Sequence, residues 1–324
     1  MELDFKKINT YSLYDRESKV NIREHFAQGP HAGMSAVELF DSMPKQLGAK
    51  SLLSVADAIV SARRNNKPVV MAIGGHVIKC GLQPVLKRLI EERAVTAFAM
   101  NGSAVIHDYE ISLIGATSED VSAVLHAGDF GFAEETGSGI NRALKAGLES
   151  GYGFGEAVGR SILTNNHPHM GFSLLAACME HQLPVTVHVA IGADIIHQHP
   201  EFNGAVTGEM SGRDFHRLVG TVAEIGDGGV WLNVGSAVIM PEVFLKALSI
   251  AQNLGHKVDH FTTANFDMNQ HYRPMQNVVC RPTSGAGSGY NIVGHHEINI
   301  PLLAAAILDK LNQARGDVEE GTAC

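Results

Sequence analysis

The sequence predicts an α/β domain with a doubly wound, mainly parallel sheet and helices on both faces. Three observations predict it. Short apolar runs alternate with amphipathic helical stretches from Pro68 onward, the pattern of repeated strand-helix units. Each run ends in small or polar residues, such as Gly74-Gly75, Asn101-Gly102-Ser103 and Gly235-Ser236, before the next helix begins. With 45% hydrophobic and 18% charged residues, the 324-residue chain can bury one large core.

Each element follows in order. Residues 1–35 are polar and mixed, without a clean period, and are expected to form an arm that wraps the domain or a neighbouring subunit. The domain proper covers 36–312, and a polar tail covers 313–324. Val37, Leu39, Phe40 and Met43 make one helical face; Leu52, Val55, Ala56, Ile59 and Val60 make a second. Strands are predicted from Val69 to Ile73, Val95 to Met100, Pro184 to Ile191, Gly229 to Val234, Val258 to Thr263 and Asn291 to Gly294. Helices are predicted from Leu82 to Glu92, Pro241 to Leu254 and Pro301 to Leu311. The Ser/Gly loop from Thr283 to Gly289 precedes a strand, so it reads as a mobile flap and not as a phosphate cradle.

Composition excludes several classes. A formal charge of −9 with scattered basic residues argues against a nucleic-acid partner. Gly, His or Asp interrupts every apolar run well before bilayer length, so no membrane partner is expected and the chain is placed in the cytoplasm. Cys80, Cys178, Cys280 and Cys324 form no close pair and read as reduced thiols.

A parallel sheet gathers its carboxyl-end loops around one crevice, which predicts a nucleotide-like ligand. Of the 17 histidines, His76, His107, His188, His197, His199, His295 and His296 fall in or beside those loops. On an extended segment His197 and His199 point the same way, so with His295, and Asp194 or Glu297, they are the set to test for a divalent transition metal. The other reading is that each histidine hydrogen-bonds loop backbone. His167 and His169 fit a helix entry. Asp129, Glu134 and Glu135 precede Asn141 and Arg142, and read either as an amine-binding loop or as a cap and an ion pair.

Several of these stretches together resemble deoxyhypusine synthase, an NAD-dependent family that moves the aminobutyl group of spermidine onto a protein lysine. Gly75-His-Val-Ile-Lys-Cys-Gly81 sits where the family has its first NAD loop, and Asn101-Gly-Ser-Ala-Val-Ile-His-Asp108 is similar to its Thr-Ala-Gly-Gly-Val-Glu-Glu-Asp turn. Gly128-Asp129-Phe130 with Gly139-Ile-Asn-Arg142, Leu183-Pro-Val185, Thr263-Ala264 with Phe266-Asp267, and Pro301-Leu-Leu303 continue the match in the same order, over about residues 50 to 310. The resemblance implies a Rossmann-type fold, a homotetramer and bound NAD. It also implies that Gly75, His76, Cys80, Gly102, Ser103, Gly192, Asp194, Gly235, Ser236, Thr263, Ala264 and Asp267 face the cofactor.

The departures bear on chemistry. The family's imine-forming lysine, in a Trp-Gly-Lys sequence, is replaced by Gln276-Asn-Val-Val-Cys-Arg281, and no lysine lies between Lys257 and Lys310. Polyamine-binding carboxylates become Ile106, His107 and, at about its position, His197; a family aspartate near the chain end aligns with His295. Classical deoxyhypusine synthesis is therefore not expected. The expectation is an NAD-binding enzyme acting on a small amine- or carbonyl-containing metabolite, with His107, His197, His295 and Cys280 as candidate catalytic groups. The alternatives are a metal-dependent hydrolase or lyase and a non-catalytic nucleotide-binding regulator.

Overall fold

Val69–Ile73 forms strand β1, and all of its apolar residues are buried. A strand covered on both faces needs no polar alternate positions. Val69, Met71 and Ile73 enter one core, while Val70 and Ala72 enter a second on the opposite face. The other strands are β2 (Ala97–Asn101), β3 (Val185–His188), β4 (Val230–Val234), β5 (Phe261–Asp267) and β6 (Gly287–Val293). They lie in the order β3-β2-β1-β4-β5-β6, and every neighbouring pair is parallel. This doubly wound arrangement matches the predicted fold class.

This computed structural model describes residues 3–321, with side chains as far as Gln313. The helices that build the two layers are α1 (Ala36–Ser42), α2 (Leu47–Arg64), α3 (Gly75–Lys79), α4 (Gln83–Glu91), α5 (Gly102–Ile114), α6 (Glu134–Glu149), α7 (Phe154–Thr164), α8 (Leu174–Glu180), α9 (Gly204–Ala223), α10 (Ile239–Asn253) and α11 (His296–Gly321). A capping box starts α1: Ser35 Oγ accepts from Glu38 N, and Glu38 accepts from Ser35 N. The larger core takes side chains from α1 to α8 and α11. The second takes Leu218, Val219 and Val222 of α9, Phe244 of α10, and Val278 of a π-helix at Met275–Cys280. There Trp231 of β4 stacks on Phe244, ring centroids 4.2 Å apart. Among the described residues no helix is long and apolar enough to cross a membrane.

Several boundaries differ from expectation, three of them toward the carboxyl-terminal end of the chain. β5 runs on to Asp267 instead of ending at Thr263, because Asn265 is satisfied by asparagines on both neighbouring strands. β6 begins at Gly287, so half of the expected flap is strand. The glycines are required there: a methyl group on Gly287 would come 2.3 Å from Phe261 O, and one on Gly289 would come 2.1 Å from Val279 O. The last helix starts at His296, ahead of Pro301, and continues to Gly321; the expected tail from 313 thus begins inside it, and 322–324, with Cys324, lie outside the described residues.

Candidate active site

With all strands parallel, the loops after β1 to β6 share one edge, and the sheet order changes direction between β1 and β4. That is where a crevice opens in such sheets. Gly74 leaves β1 and Gly235 leaves β4, and the two backbones touch: Gly74 N donates to Val234 O at 2.9 Å, and a methyl on Gly74 would come 2.1 Å from Gly235 O. Gly235 has φ +66°, and a methyl there would come 2.7 Å from His296 Nε2. Only glycine meets both demands without strain.

His296, at the first turn of α11, is thus packed against the turn at Gly235. It is 2% exposed and its Nδ1 is buried with no hydrogen-bond partner. Burial lowers its pKa, against the pull of Asp267, so the ring is held neutral. His76 of α3 faces it, ring centroids 5.9 Å apart. Cys80 donates to Glu297 at 3.7 Å; burial and that carboxylate raise the thiol pKa, so this cysteine is a poor nucleophile. Asp267 closes β5 with Oδ1 accepting from Asn269 N at 3.0 Å. Ser236 Oγ accepts from Met240 N at 3.1 Å, fixing the entry to α10.

Beside the crevice lies a cavity of about 810 Å³ whose lining includes Lys79, Ser103, His107, Glu110, Thr117 and Asp194. Gly75 packs against this wall: a methyl on it would come 2.2 Å from Ser103 Oγ and 3.1 Å from His107 Cδ2. His107 Nδ1 lies 2.7 Å from Thr117 Oγ1, Thr117 donates to Glu110 Oε2 at 2.5 Å, and Thr136 donates to Glu110 Oε1 at 3.0 Å. Burial first, and then Lys79, lower the His107 pKa, while Glu110 opposes them. Asp194 lies against the start of α5, where a methyl on Gly102 would come 2.2 Å from its Oδ2. That oxygen is buried without a partner, and burial raises the carboxyl pKa to about 6.

Of the expected cofactor positions, Ser103 and Asp194 line the cavity, Gly75 and Gly102 pack against those two side chains, and His76, Cys80, Gly235, Ser236 and Asp267 stand at the carboxyl ends of β1, β4 and β5 or just after them. Gly192 forms the turn after β3 with φ +93°, and its N–H donates to His197 Nδ1 at 3.2 Å. Thr263 and Ala264 are exceptions. Both are buried in mid-strand, where Thr263 Oγ1 donates to Val278 O at 2.7 Å, so neither lies at a carboxyl-end loop.

The catalytic and metal candidates are not brought together. His197 ends a single 3-10 turn, packs on Phe202 with ring centroids 5.0 Å apart, and has its Nε2 buried without a partner. His199 Nε2 lies 3.3 Å from Glu134 Oε2, and its Nδ1 accepts from Glu201 N at 3.2 Å. His295 is exposed beside Glu297, at 3.7 Å. Among the described residues, the side chains close enough to share an ion are Asp227, Asp259 and His260, at the amino ends of β4 and β5, opposite the crevice. The expected His197, His199, His295 set therefore has no common centre: the chain turns at Ile195–His197, so the same-side alternation of an extended segment does not hold for His197 and His199. Cys280 is exposed at the end of the π-helix. His167 is a core residue, its Nδ1 2.8 Å from Ser112 Oγ. Arg142 pairs with Glu201, and 3.9 Å away with Glu134.

Glu110 and Thr117 are not among the residues that the sequence marks out, and Lys79 appears there only as part of the Gly75–Gly81 loop. Glu110 stands one turn after His107 on α5, a spacing that pairs side chains on a helix. Thr117 comes from the connection after α5 and carries no motif.

No family model matches the chain, and no curated protein matches its sequence. Solved structures do. A "conserved putative LOR/SDH protein" from Methanococcus maripaludis S2 superposes with a TM-score of 0.50 at 14% identity, over 82% of this chain and 71% of that one. A C264A mutant of AgrE bound to L-arginine gives 0.50 at 16%, over 83% of this chain and 35% of that one. A putative deoxyhypusine synthase from Entamoeba histolytica gives 0.49 at 9%, over 86% and 94%. The chain thus spans about a third of the length of AgrE, and at these identities the likeness is one of fold.

Proposed function

We propose that the chain is a dinucleotide-dependent enzyme, with NAD as the cofactor, acting on a small amine- or carbonyl-containing metabolite. The observation that carries this reading is the change of sheet direction between β1 and β4, where Gly74 and Gly235 meet backbone to backbone. The site departs from the common fingerprint: Gly74-Gly75 and Gly81 replace the usual glycine spacing, and Asn101, not an acid, ends β2 and caps Ala104 N at 3.0 Å. The main chain at Gly74, Gly75 and Gly235, with Asp267, would hold the dinucleotide. A bound nicotinamide supplies a hydride acceptor.

The chain's own part lies in the cavity. His107, kept neutral by burial, takes a proton from the substrate at Nε2. Asp194, titrating near pH 6, becomes an unpaired carboxylate above that pH and compensates a developing positive charge. The homotetramer belongs to the same reading by resemblance. Calorimetric titration of the purified chain with NAD tests it. Saturable binding that weakens in Gly235→Ala supports the proposal; no heat of binding and no thermal shift with NAD rule it out.

A further inference from the structure

Four side chains of the cavity wall form a directed hydrogen-bond chain that no motif announces. Thr136 and Thr117 both donate to the Glu110 carboxylate, one to each oxygen, at 3.0 and 2.5 Å. A threonine hydroxyl has a single proton. With that proton given to Glu110, Thr117 Oγ1 has only lone pairs to offer the imidazole 2.7 Å away, so His107 Nδ1 carries the hydrogen. Nε2 is then the lone-pair nitrogen, and no described residue hydrogen-bonds to it. Its neighbour Cδ2 lies beside Gly75, where an added methyl would come 3.1 Å from it, and the ring lines the cavity.

We infer that Glu110 and Thr117 are positioning residues that fix the His107 tautomer and orientation and leave Nε2 as the proton acceptor of the cavity. The inference rests on the reading of His107 as the base. It assigns the two groups that make that reading possible. When Nε2 accepts a proton, the imidazolium keeps its Nδ1–H bond to Thr117 and the carboxylate stands behind it. The charged groups facing the ring are Glu110 from α5, which favours the cation, and Lys79 from α3, which disfavours it. Both side chains of the His107–Glu110 pair are mostly shielded, 16% and 17% exposed, so their mutual field is weakly screened.

The test is imidazole-nitrogen NMR of the full chain carrying isotope-labelled histidine, with His107 assigned by its loss in His107→Gln. Wild type is expected to show the Nδ1–H tautomer. Thr117→Val is expected to shift the ring toward Nε2–H or a mixture, Thr117→Ser to restore the wild-type pattern, and Glu110→Gln to lower the apparent pKa of His107. A wild-type spectrum with the proton on Nε2 overturns the inference without any variant having to fold, as does a Thr117→Val spectrum identical to wild type. NAD titration of the wild type is a separate measurement. If the tautomer is as expected and NAD does not bind, the functional reading fails while the relay stands; the opposite pair of results removes the relay alone.

Discussion

Asn233 donates through Nδ2 to Asn265 Oδ1 at 2.8 Å, and Asn265 donates in turn to Asn291 Oδ1 at 2.9 Å. The three are direct register partners on β4, β5 and β6, so an in-register parallel sheet stacks identical amides into a ladder. Asn233 Nδ2 also reaches Ser236 O at 3.0 Å, which ties the ladder to the loop after β4. Asn233 and Asn265 are buried, and a buried amide without partners is destabilising.

Replacing the middle rung should therefore be severe. Asn265→Leu leaves Asn233 and Asn291 each short of a partner and is expected to lower stability by roughly 2–5 kcal/mol. The double variant Asn233→Leu/Asn265→Leu should cost less than the sum of the single changes, because the orphaned amide goes with it. Urea unfolding of the three variants measures both quantities.

Gly235→Ala puts a methyl group 2.7 Å from His296 Nε2 at a residue with φ +66°. The left-handed conformation alone disfavours alanine by about 1–2 kcal/mol. Adding His296→Ala should recover the part due to the clash and leave the part due to φ. Melting temperatures of Gly235→Ala with and without His296→Ala separate the two, and no recovery would show that the ring is not the obstacle.

Asp214 sits under the sheet edge, its Oδ2 accepting from Gly155 N at 2.9 Å and Val187 N at 2.8 Å, with Oδ1 buried and unpartnered. Burial outweighs those bonds and raises its pKa from 3.8 to about 7. Between these values the folded state binds the proton and the unfolded state does not, so the contribution to stability falls as pH rises, by roughly 1 kcal/mol per pH unit within that window. It is fully present below the unfolded pKa and gone above the folded one. Asp214→Asn should remove this slope; denaturation midpoints of both proteins at mildly acidic and at neutral pH reveal it.

Asp108 of α5 is completely buried and accepts from Ser173 Oγ at 2.6 Å, Leu174 N at 2.7 Å and Leu175 N at 3.0 Å. It supplies the start of α8 with acceptors from another helix. Asp108→Ala is expected to destabilise the fold by about 2–4 kcal/mol, with early hydrogen exchange at Leu174 and Leu175. Unchanged exchange at those amides would show that the cap is not what holds α8.

The layers were legible in the sequence because buried parallel strands announce themselves as unbroken apolar runs, and β1 was readable to the residue. The run stops being informative where polar side chains satisfy one another across strands, as Asn265 does, which hid the last part of β5. The crevice loops were legible through Gly74, Gly75 and Gly235. His107 is a candidate in the sequence, but its hydrogen-bond partners are not: Glu110 needs the helical period applied to a polar pair, and Thr117 reaches the ring only through the folded connection after α5. Pairing His197 with His199 assumed an extended backbone, and the chain turns there instead.

The contact of Gly74 with Gly235 has a consequence for how such a site can change. The junction of the two turns is bare main chain, with Gly74 closed off by the loop after β4 and Gly235 by an imidazole. Substitution can add nothing there that the backbone will tolerate. Change in this region is left to the side chains around it, those of α3, α5 and the turn at Asp194.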